Sequence, residues 1–209
     1  MPIRFRFSTV FASAILVSTL LACSSSDPAP EPTPQQKFTE ALSGAYSRCS
    51  GKAGASTSCE TSLKADATKV AGLLSASVLD GATTCMKSTA CGADPLTCLG
   101  TAVGGATTSS AQTKLATDYC KSCSAVGGEA CTTAFFGTAD VPGVAFLLLP
   151  FGDGPLAEVD SSCTKNPLGK TACQAAFTAC LSATATKFLA TSVSAESAKC
   201  LVEGILPKT

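Results

Sequence analysis

The feature that most limits the folds open to this chain is its large set of cysteines among small side chains. Thirteen of its 209 residues are cysteine, aromatic residues make up only 6%, and tryptophan is absent. Helices rich in Ala, Ser, Thr and Gly bury little apolar area per residue, so burial alone stabilises them weakly. A disulfide contributes about 2–4 kcal/mol. We therefore expect cross-links to supply much of the stability of this protein.

The cysteine count also separates one cysteine from the others. Cys23 ends the N-terminal apolar segment, and twelve more cysteines follow it, so the total is odd but the remainder is even. Exported proteins sit in oxidising surroundings, and twelve cysteines are then expected to form six disulfides. These twelve are Cys49, Cys59, Cys85, Cys91, Cys98, Cys120, Cys123, Cys131, Cys163, Cys173, Cys180 and Cys200.

The N-terminal segment has the layout of a secretory signal peptide. Two arginines precede an uncharged, mostly apolar stretch that ends at Ala22 and is short and polar for a permanent membrane span. Its last residues, Leu20, Leu21, Ala22 and Cys23, resemble the lipobox of bacterial lipoproteins. This resemblance covers only the first two dozen residues. It implies that residues 1–22 are removed and that Cys23 carries a diacylglycerol and an amide-linked fatty acid such as palmitate.

The resemblance also implies a location. Two or three acyl chains hold a protein stably on a membrane, whereas one chain does not. Ser24 stands where some bacteria read an aspartate as an inner-membrane retention signal, which favours the outer membrane, at its periplasmic face or at the cell surface. The alternative is an ordinary signal peptide in which Cys23 is incidental.

The mature chain divides into a linker and one domain. Residues 23–35 contain the anchor and the sequence SSSDPAPEPTP, which is typical of an extended, solvated tether. Residues 36–209 form the expected cysteine-rich domain. The mature part carries 13 basic and 15 acidic side chains and no basic patch, so we do not expect nucleic acid as a partner.

The periodicity of apolar residues predicts an all-α fold. Phe38, Leu42, Ala45 and Cys49 form one helical stripe, and similar stripes recur along the chain, which predicts a small disulfide-rich bundle of about seven or eight helices. Helix starts are predicted at Thr57 with Glu60, at Asp94 with Pro95, at Ser109 or Ser110, at Asp153 and at Asn166 with Pro167. Asp80 and Gly81 are predicted to end the second helix.

The pairing of the cysteines does not follow from their order. Adjacent helices that fold back on each other favour four pairs: Cys180 with Cys200, Cys49 with Cys59, Cys163 with Cys173, and Cys131 with either Cys120 or Cys123.

No motif predicts catalysis, a metal or a cofactor. Cys120 and Cys123 form a C-x-x-C, but they fall late in a predicted helix, where structural disulfides are the better interpretation. The chain contains no histidine, which excludes the usual triads and histidine-bearing metal sites. The GKT at 169–171 lacks the leading glycine of a phosphate loop. Asp153, Glu158 and Asp160 are interpreted as a solvated helix start.

One concentrated apolar run remains, at 141–151. It has two interpretations: an exposed surface that binds a partner, or a buried central helix around which the others pack. The second is favoured because the chain has few other large apolar residues. The residues of the candidate binding surface are Val144, Phe146, Leu147, Leu148, Leu149 and Phe151.

The sequence therefore predicts a non-catalytic cell-envelope lipoprotein with a structural or partner-binding role. Its expected partners are the membrane, through the acyl chains on Cys23, and an envelope protein. Two alternatives stay open: a carrier that encloses a small apolar ligand among its helices, and an enzyme that uses carboxylates without histidine.

Overall fold

A computed structural model describes residues 30–49, 57–123, 128–137, 143–164 and 173–205. All of these except residues 30 and 31 belong to the compact unit Pro32–Thr209. Within these ranges the fold is all-α, as predicted, with two isolated β-bridges and no strand. A 3-10 turn covers Phe146–Leu148, and a π turn, Asp160–Thr164, follows the seventh helix. The described α-helices are nine, slightly more than expected: α1 Pro34–Cys49, α2 Thr57–Leu73, α3 Ala76–Ser88, α4 Thr97–Gly104, α5 Ser110–Cys123, α6 Glu129–Phe136, α7 Asp153–Val159, α8 Cys173–Ser192 and α9 Ala195–Ile205.

Two helices begin with a reciprocal capping box. Before α5, the Ser109 N–H donates to Gln112 Oε1 at 2.8 Å, and the Gln112 N–H donates to Ser109 Oγ at 3.2 Å. Thr33 and Gln36 make the same pair before α1. Each box satisfies two backbone donors that a helix start otherwise leaves without partners. Of the two serines predicted to cap α5, Ser109 is the one that does so.

The predicted helix end at Asp80 and Gly81 is wrong. Helix α2 already ends at Leu73, Ser75 caps α3 by accepting from the Val78 N–H at 3.4 Å, and α3 continues past both residues. A Cβ at Gly81 would lie 3.1 Å from the Cβ of Ala102, so this glycine allows α4 to approach closely. Tertiary packing here outweighs the low helix propensity of glycine.

The buried apolar residues form two clusters. The first gathers side chains from α1 to α4 and α9, and the second gathers side chains from α5 to α8. Five disulfides lie in the described part, two within the first cluster and three within the second. None of these five bridges joins the two clusters, so other contacts must hold them together.

The segment at 149–152 provides those contacts. The Ser75 N–H donates to the Pro150 carbonyl and the Gly152 N–H to the Leu73 carbonyl, both at 2.8 Å, which ties the segment to the end of α2. On its other side, Gln112 Nε2 donates to the Leu149 carbonyl at 2.7 Å. Leu149 and Phe151 pack against both clusters. The two clusters are thus joined through this short irregular segment, and also through α8, whose Phe188 and Leu189 pack against the first cluster.

Candidate functional site

The disulfides confirm one of the predicted pairs. Cys120 in α5 bonds to Cys131 in α6, which settles the choice between Cys120 and Cys123. The other four bridges are Cys59–Cys200, Cys85–Cys98, Cys123–Cys173 and Cys163–Cys180.

Three predicted pairs are wrong: Cys180–Cys200, Cys49–Cys59 and Cys163–Cys173. They assumed that helices adjacent in sequence pair with each other. Helix α9 packs against α2 instead, so Cys200 meets Cys59 across 141 residues. The C-x-x-C does not close on itself either, because its two sulfurs bond to different helices. It is a structural pair of cross-links, as expected.

Cys49 and Cys91 lie outside these five bridges. Cys49 is buried at the end of α1, and Cys91 is exposed in the loop after α3. The Cys91 thiol donates a hydrogen bond to the carbonyl oxygen of Arg48 at 3.2 Å. The described bridges account for five of the six expected disulfides, and the loop brings Cys91 next to Arg48, the residue that precedes Cys49.

The apolar run lies mostly in the interior. Phe146 and Leu148 are buried, one in each cluster, and Val144, Leu149 and Phe151 are half-buried. Among the described residues of the run, Leu147 is the one that is substantially exposed, at 49%. The burial of Phe146 and Leu148 means that the run does not form a continuous exposed surface, which corrects that interpretation, although Phe146 and Leu149 line the groove described below.

The run is not a central helix either. Among its described residues, the helical ones form a single 3-10 turn, which ends at Leu148. Pro150 lacks an N–H, and its ring clashes with the preceding turn of a helix, so a helix cannot continue through this position easily. The described part of the run, residues 143–151, lies between the two clusters, and we call it the apolar wedge.

Several predicted sites lie outside the described residues. They are the signal peptide 1–22 with Leu20, Leu21 and Ala22, the lipidation site Cys23, most of the tether 23–35, the side chain of Thr57, and the segment 165–172 with Asn166, Pro167 and GKT.

The acidic residues near α7 play a structural part. Lys114 Nζ in α5 donates to Asp118 Oδ2 at 2.6 Å and to Asp160 Oδ2 in the π turn. These hydrogen bonds raise the pKa of Lys114 above its ordinary value. Asp160 Oδ1 also accepts from Thr164 Oγ1 at 2.7 Å. The cluster fastens α5 to the π turn, and Asp153 and Glu158 remain exposed, as expected of a solvated helix start.

A concave groove lies where the two clusters meet. Its volume is about 500 Å³, within the range of about 300–1,000 Å³ that is usual for small-molecule sites. The groove is lined by residues of α4, α5, α6, the loop after α4 and the apolar wedge: Val103, Gly104, Ala106, Thr108, Thr113, Ala116, Glu129, Thr132, Thr133, Phe136, Gly137, Phe146 and Leu149.

Two buried aromatic residues, Phe136 and Phe146, form the apolar floor of the groove. Phe136 packs edge-on against Phe135, with ring centroids 4.8 Å apart, and Phe135 contacts Tyr119 at the same distance. Aromatic pairs in such geometries add to the stability that burial alone provides. Burial also raises the pKa of Tyr119, so its hydroxyl stays neutral. Phe136 is therefore supported by the second cluster, whereas Phe146, the other aromatic residue of the floor, belongs to the first cluster.

The polar wall of the groove comes from one carboxylate and four hydroxyls. Glu129 is the first residue of α6, and the hydroxyls belong to Thr108, Thr113, Thr132 and Thr133. None of the described residues that line the groove is a lysine or an arginine. The arrangement can bind a molecule with an apolar face and a polar end.

A metal centre has little support among the described residues. The carboxylate of Glu196 and the sulfurs of Cys59 and Cys200 lie within 4.8 Å of one another. The two sulfurs are joined as a disulfide and therefore cannot act as thiolate ligands.

The sequence did not single out the groove residues. Threonine is common throughout the chain, and Glu129 stands at an ordinary helix start, so neither differs from its surroundings. Only the packing of α4, α5 and α6 brings them together.

None of the described helices has both the length and the apolar character needed to cross a membrane.

Comparison with known proteins yields no relative. No protein-family model, curated protein or solved structure matches this chain.

Proposed function

We propose that this protein is a lipid-anchored, non-catalytic component of a bacterial cell envelope whose helical domain binds a small amphipathic molecule in the groove. The observation that carries the binding role is the groove itself, with its aromatic floor and hydroxyl-rich wall. The observation that carries the anchor is the lipobox-like sequence ending at Cys23, followed by a tether rich in serine and proline.

A binding role fits the groove better than a catalytic one. General acid–base catalysis uses a positioned group whose pKa lies near the operating pH, and nucleophilic catalysis uses a nucleophile activated by a nearby base. Among the described residues that line the groove, Glu129 is the one carboxylate. Thr113 and Thr132 donate their hydroxyl protons to main-chain carbonyls rather than to a base. The groove has features of a recognition site rather than those of a reaction centre.

The groove also refines the carrier alternative. An enclosed apolar cavity would suit a fully apolar ligand, whereas this groove is open and has a polar wall. A ligand that is apolar on one side and polar on the other satisfies both surfaces.

The anchor is tested by replacing Cys23 with serine. We expect the wild type to carry a diacylglycerol on the first residue of its mature form and to fractionate with membranes. Cys23→Ser should remain unprocessed or be released, because no thiol is left to acylate. Mass spectrometry of the mature N-terminus checks this, and an unmodified Cys23 in the wild type would contradict the proposal.

The groove is tested by filling it. A Cβ at Gly104 meets no atom within 4 Å, so Gly104→Trp places an indole at the groove without a backbone clash. Gly72→Trp is the matched control, because Gly72 also has open space around it and lies in α2, outside the groove lining. The probe is 3-phenylpropan-1-ol, whose ring suits the floor and whose hydroxyl suits the wall.

We expect saturation-transfer NMR to detect binding of this probe to the wild type and to Gly72→Trp, and a loss of the signal with Gly104→Trp. Equal binding by all three proteins would place the probe elsewhere. No binding by the wild type would remove the support for the site.

A further inference from the structure

We propose that the groove selects a primary organic ammonium ion with an arylalkyl or alkyl tail, an inference that rests on the proposed function of the same site. This inference rests on the described lining of the groove, in which a carboxylate and acceptor hydroxyls lie beside an aromatic floor. No described residue of this lining carries a positive charge.

The first step concerns charge. Glu129 is exposed at the groove, and none of the ion pairs among the described residues includes it. The nearby helix α5 carries Lys114, but this ammonium is held by Asp118 and Asp160 and is not part of the groove lining. The described residues of the groove lining therefore present one negative charge for a ligand to neutralise.

The second step concerns hydrogen-bond direction. Thr113 Oγ1 donates its proton to the Ser109 carbonyl at 3.0 Å, and Thr132 Oγ1 donates to the Glu129 carbonyl at 2.9 Å. A hydroxyl has one proton and two lone pairs, so these two oxygens have only acceptor sites left for a ligand. An ionised carboxylate is likewise an acceptor only.

The third step combines the charge of the groove with the direction of its hydrogen bonds. A ligand that satisfies several acceptors and one negative charge must carry several donors and a positive charge. A primary ammonium has three donors and no acceptor, which matches this wall. The apolar tail of the ligand would rest on Phe136 and Phe146, which form the floor. A carboxylate or phosphate would face repulsion from Glu129 and from the acceptor oxygens.

The test uses three probes with the same phenylpropyl tail. They are 3-phenylpropylammonium, 3-phenylpropan-1-ol and 3-phenylpropanoate, which differ only in the charge and donors of the end group. We expect the wild-type protein to bind the ammonium about tenfold more tightly than the alcohol, since a charge-assisted hydrogen bond contributes more than a neutral one. The carboxylate should bind more weakly than the alcohol.

Glu129→Gln should reduce the affinity for the ammonium to that for the alcohol and leave the alcohol unchanged. Glu158→Gln is the matched control, because Glu158 is equally an exposed glutamate but lies in α7 outside the groove lining. It should retain the full preference. Titrations followed by protein NMR give the three affinities for each protein.

Two failures are distinguishable. If Gly104→Trp blocks all three probes but the wild type binds them equally, or if Glu129→Gln keeps the preference for the ammonium, the cation selectivity is overturned and the groove stands as a site. If Gly104→Trp leaves the binding of every probe unchanged, the proposed site fails and the selectivity fails with it.

Discussion

The carboxylate of Asp66 in α2 accepts a hydrogen bond of 2.8 Å from the main-chain N–H of Ser194, 128 residues further along the chain. The same oxygen accepts from Ser197 Oγ at 2.9 Å, and Lys69 Nζ lies 3.1 Å from the other oxygen. Ser194 directly precedes α9 and accepts from the Ser197 N–H through its own hydroxyl. Asp66 therefore helps to cap α9 from a distant helix.

We expect Asp66→Asn to destabilise the domain by about 2 kcal/mol near pH 7, because hydrogen bonds to a buried charge contribute more than neutral ones. These hydrogen bonds hold the pKa of Asp66 well below its usual range. A carboxylate whose pKa is lowered by folding stabilises the protein above the pKa of the unfolded chain, about 3.9, and this contribution is lost as the pH falls toward the folded pKa.

Denaturant unfolding at pH 7 and at pH 3 checks both parts. The stability difference between wild type and Asp66→Asn should shrink at pH 3. Asp80→Asn, at an exposed position in α3, is the control and should change stability little at either pH. A difference that does not depend on pH would show that charge is not what Asp66 contributes.

A second prediction concerns the Cys59–Cys200 disulfide, which joins α2 and α9 at a sequence separation of 141, whereas Cys85–Cys98 has a separation of 13. In the chain-entropy account of disulfides, a bridge that closes a longer loop removes more conformational entropy from the unfolded chain. The other bridges inside the 59–200 loop reduce its effective length. We expect replacement of Cys59 and Cys200 by alanine to cost about 3–5 kcal/mol, and more than the same change at Cys85 and Cys98. Chemical denaturation of both double variants measures this order, and a reversed order would contradict it.

A third prediction concerns Cys91, whose thiol lies 3.2 Å from the carbonyl oxygen of Arg48, the residue before Cys49. An exported protein meets oxidising conditions, and Cys49 and Cys91 are the two of the twelve cysteines after Cys23 that lie outside the five described bridges. We expect peptide mapping of the oxidised, non-reduced protein to join Cys91 to Cys49. Ready alkylation of Cys91 in the native oxidised protein would refute this.

A fourth prediction compares two neighbours in the apolar wedge. Leu148 is 2% exposed and Leu147 is 49% exposed. Leu148→Asp buries a charge without a partner, which costs several kcal/mol, and we expect the folded protein to be lost. Leu147→Asp should fold with near-normal stability. Thermal unfolding by circular dichroism distinguishes them, and equal tolerance of both changes would mean that the wedge is not part of the core.

The predictions that held depend on contacts close in sequence. Ser109, one of the two serines predicted to cap α5, does so through Gln112, because residues three apart meet at a helix start whatever the rest of the chain does. Asp153 begins α7 as predicted, and Leu156, Val159 and Cys163 are buried on its apolar side. The all-α class follows from the same local periodicity.

The predictions that failed depend on which helices pack together. A stripe of apolar residues shows which side of a helix is buried but not which partner buries it. The helix through Asp80 and Gly81 persists because α4 packs against it, and Phe146 and Leu148 are buried because two separate clusters close around them. Neither the packing of α4 against α3 nor the two clusters around Phe146 and Leu148 can be identified from a stretch of sequence only a few helical turns long.

By itself, the sequence determined that this chain is helical, that it is rich in disulfides and where several helices begin, because each of these follows from composition or from residues within one turn of each other. Only the tertiary structure decided the partners of Cys59 and Cys123, the burial of the wedge and the existence of the groove. Each of these is a meeting of residues far apart in the chain, and its energy arises from packing between helices rather than from any single helix.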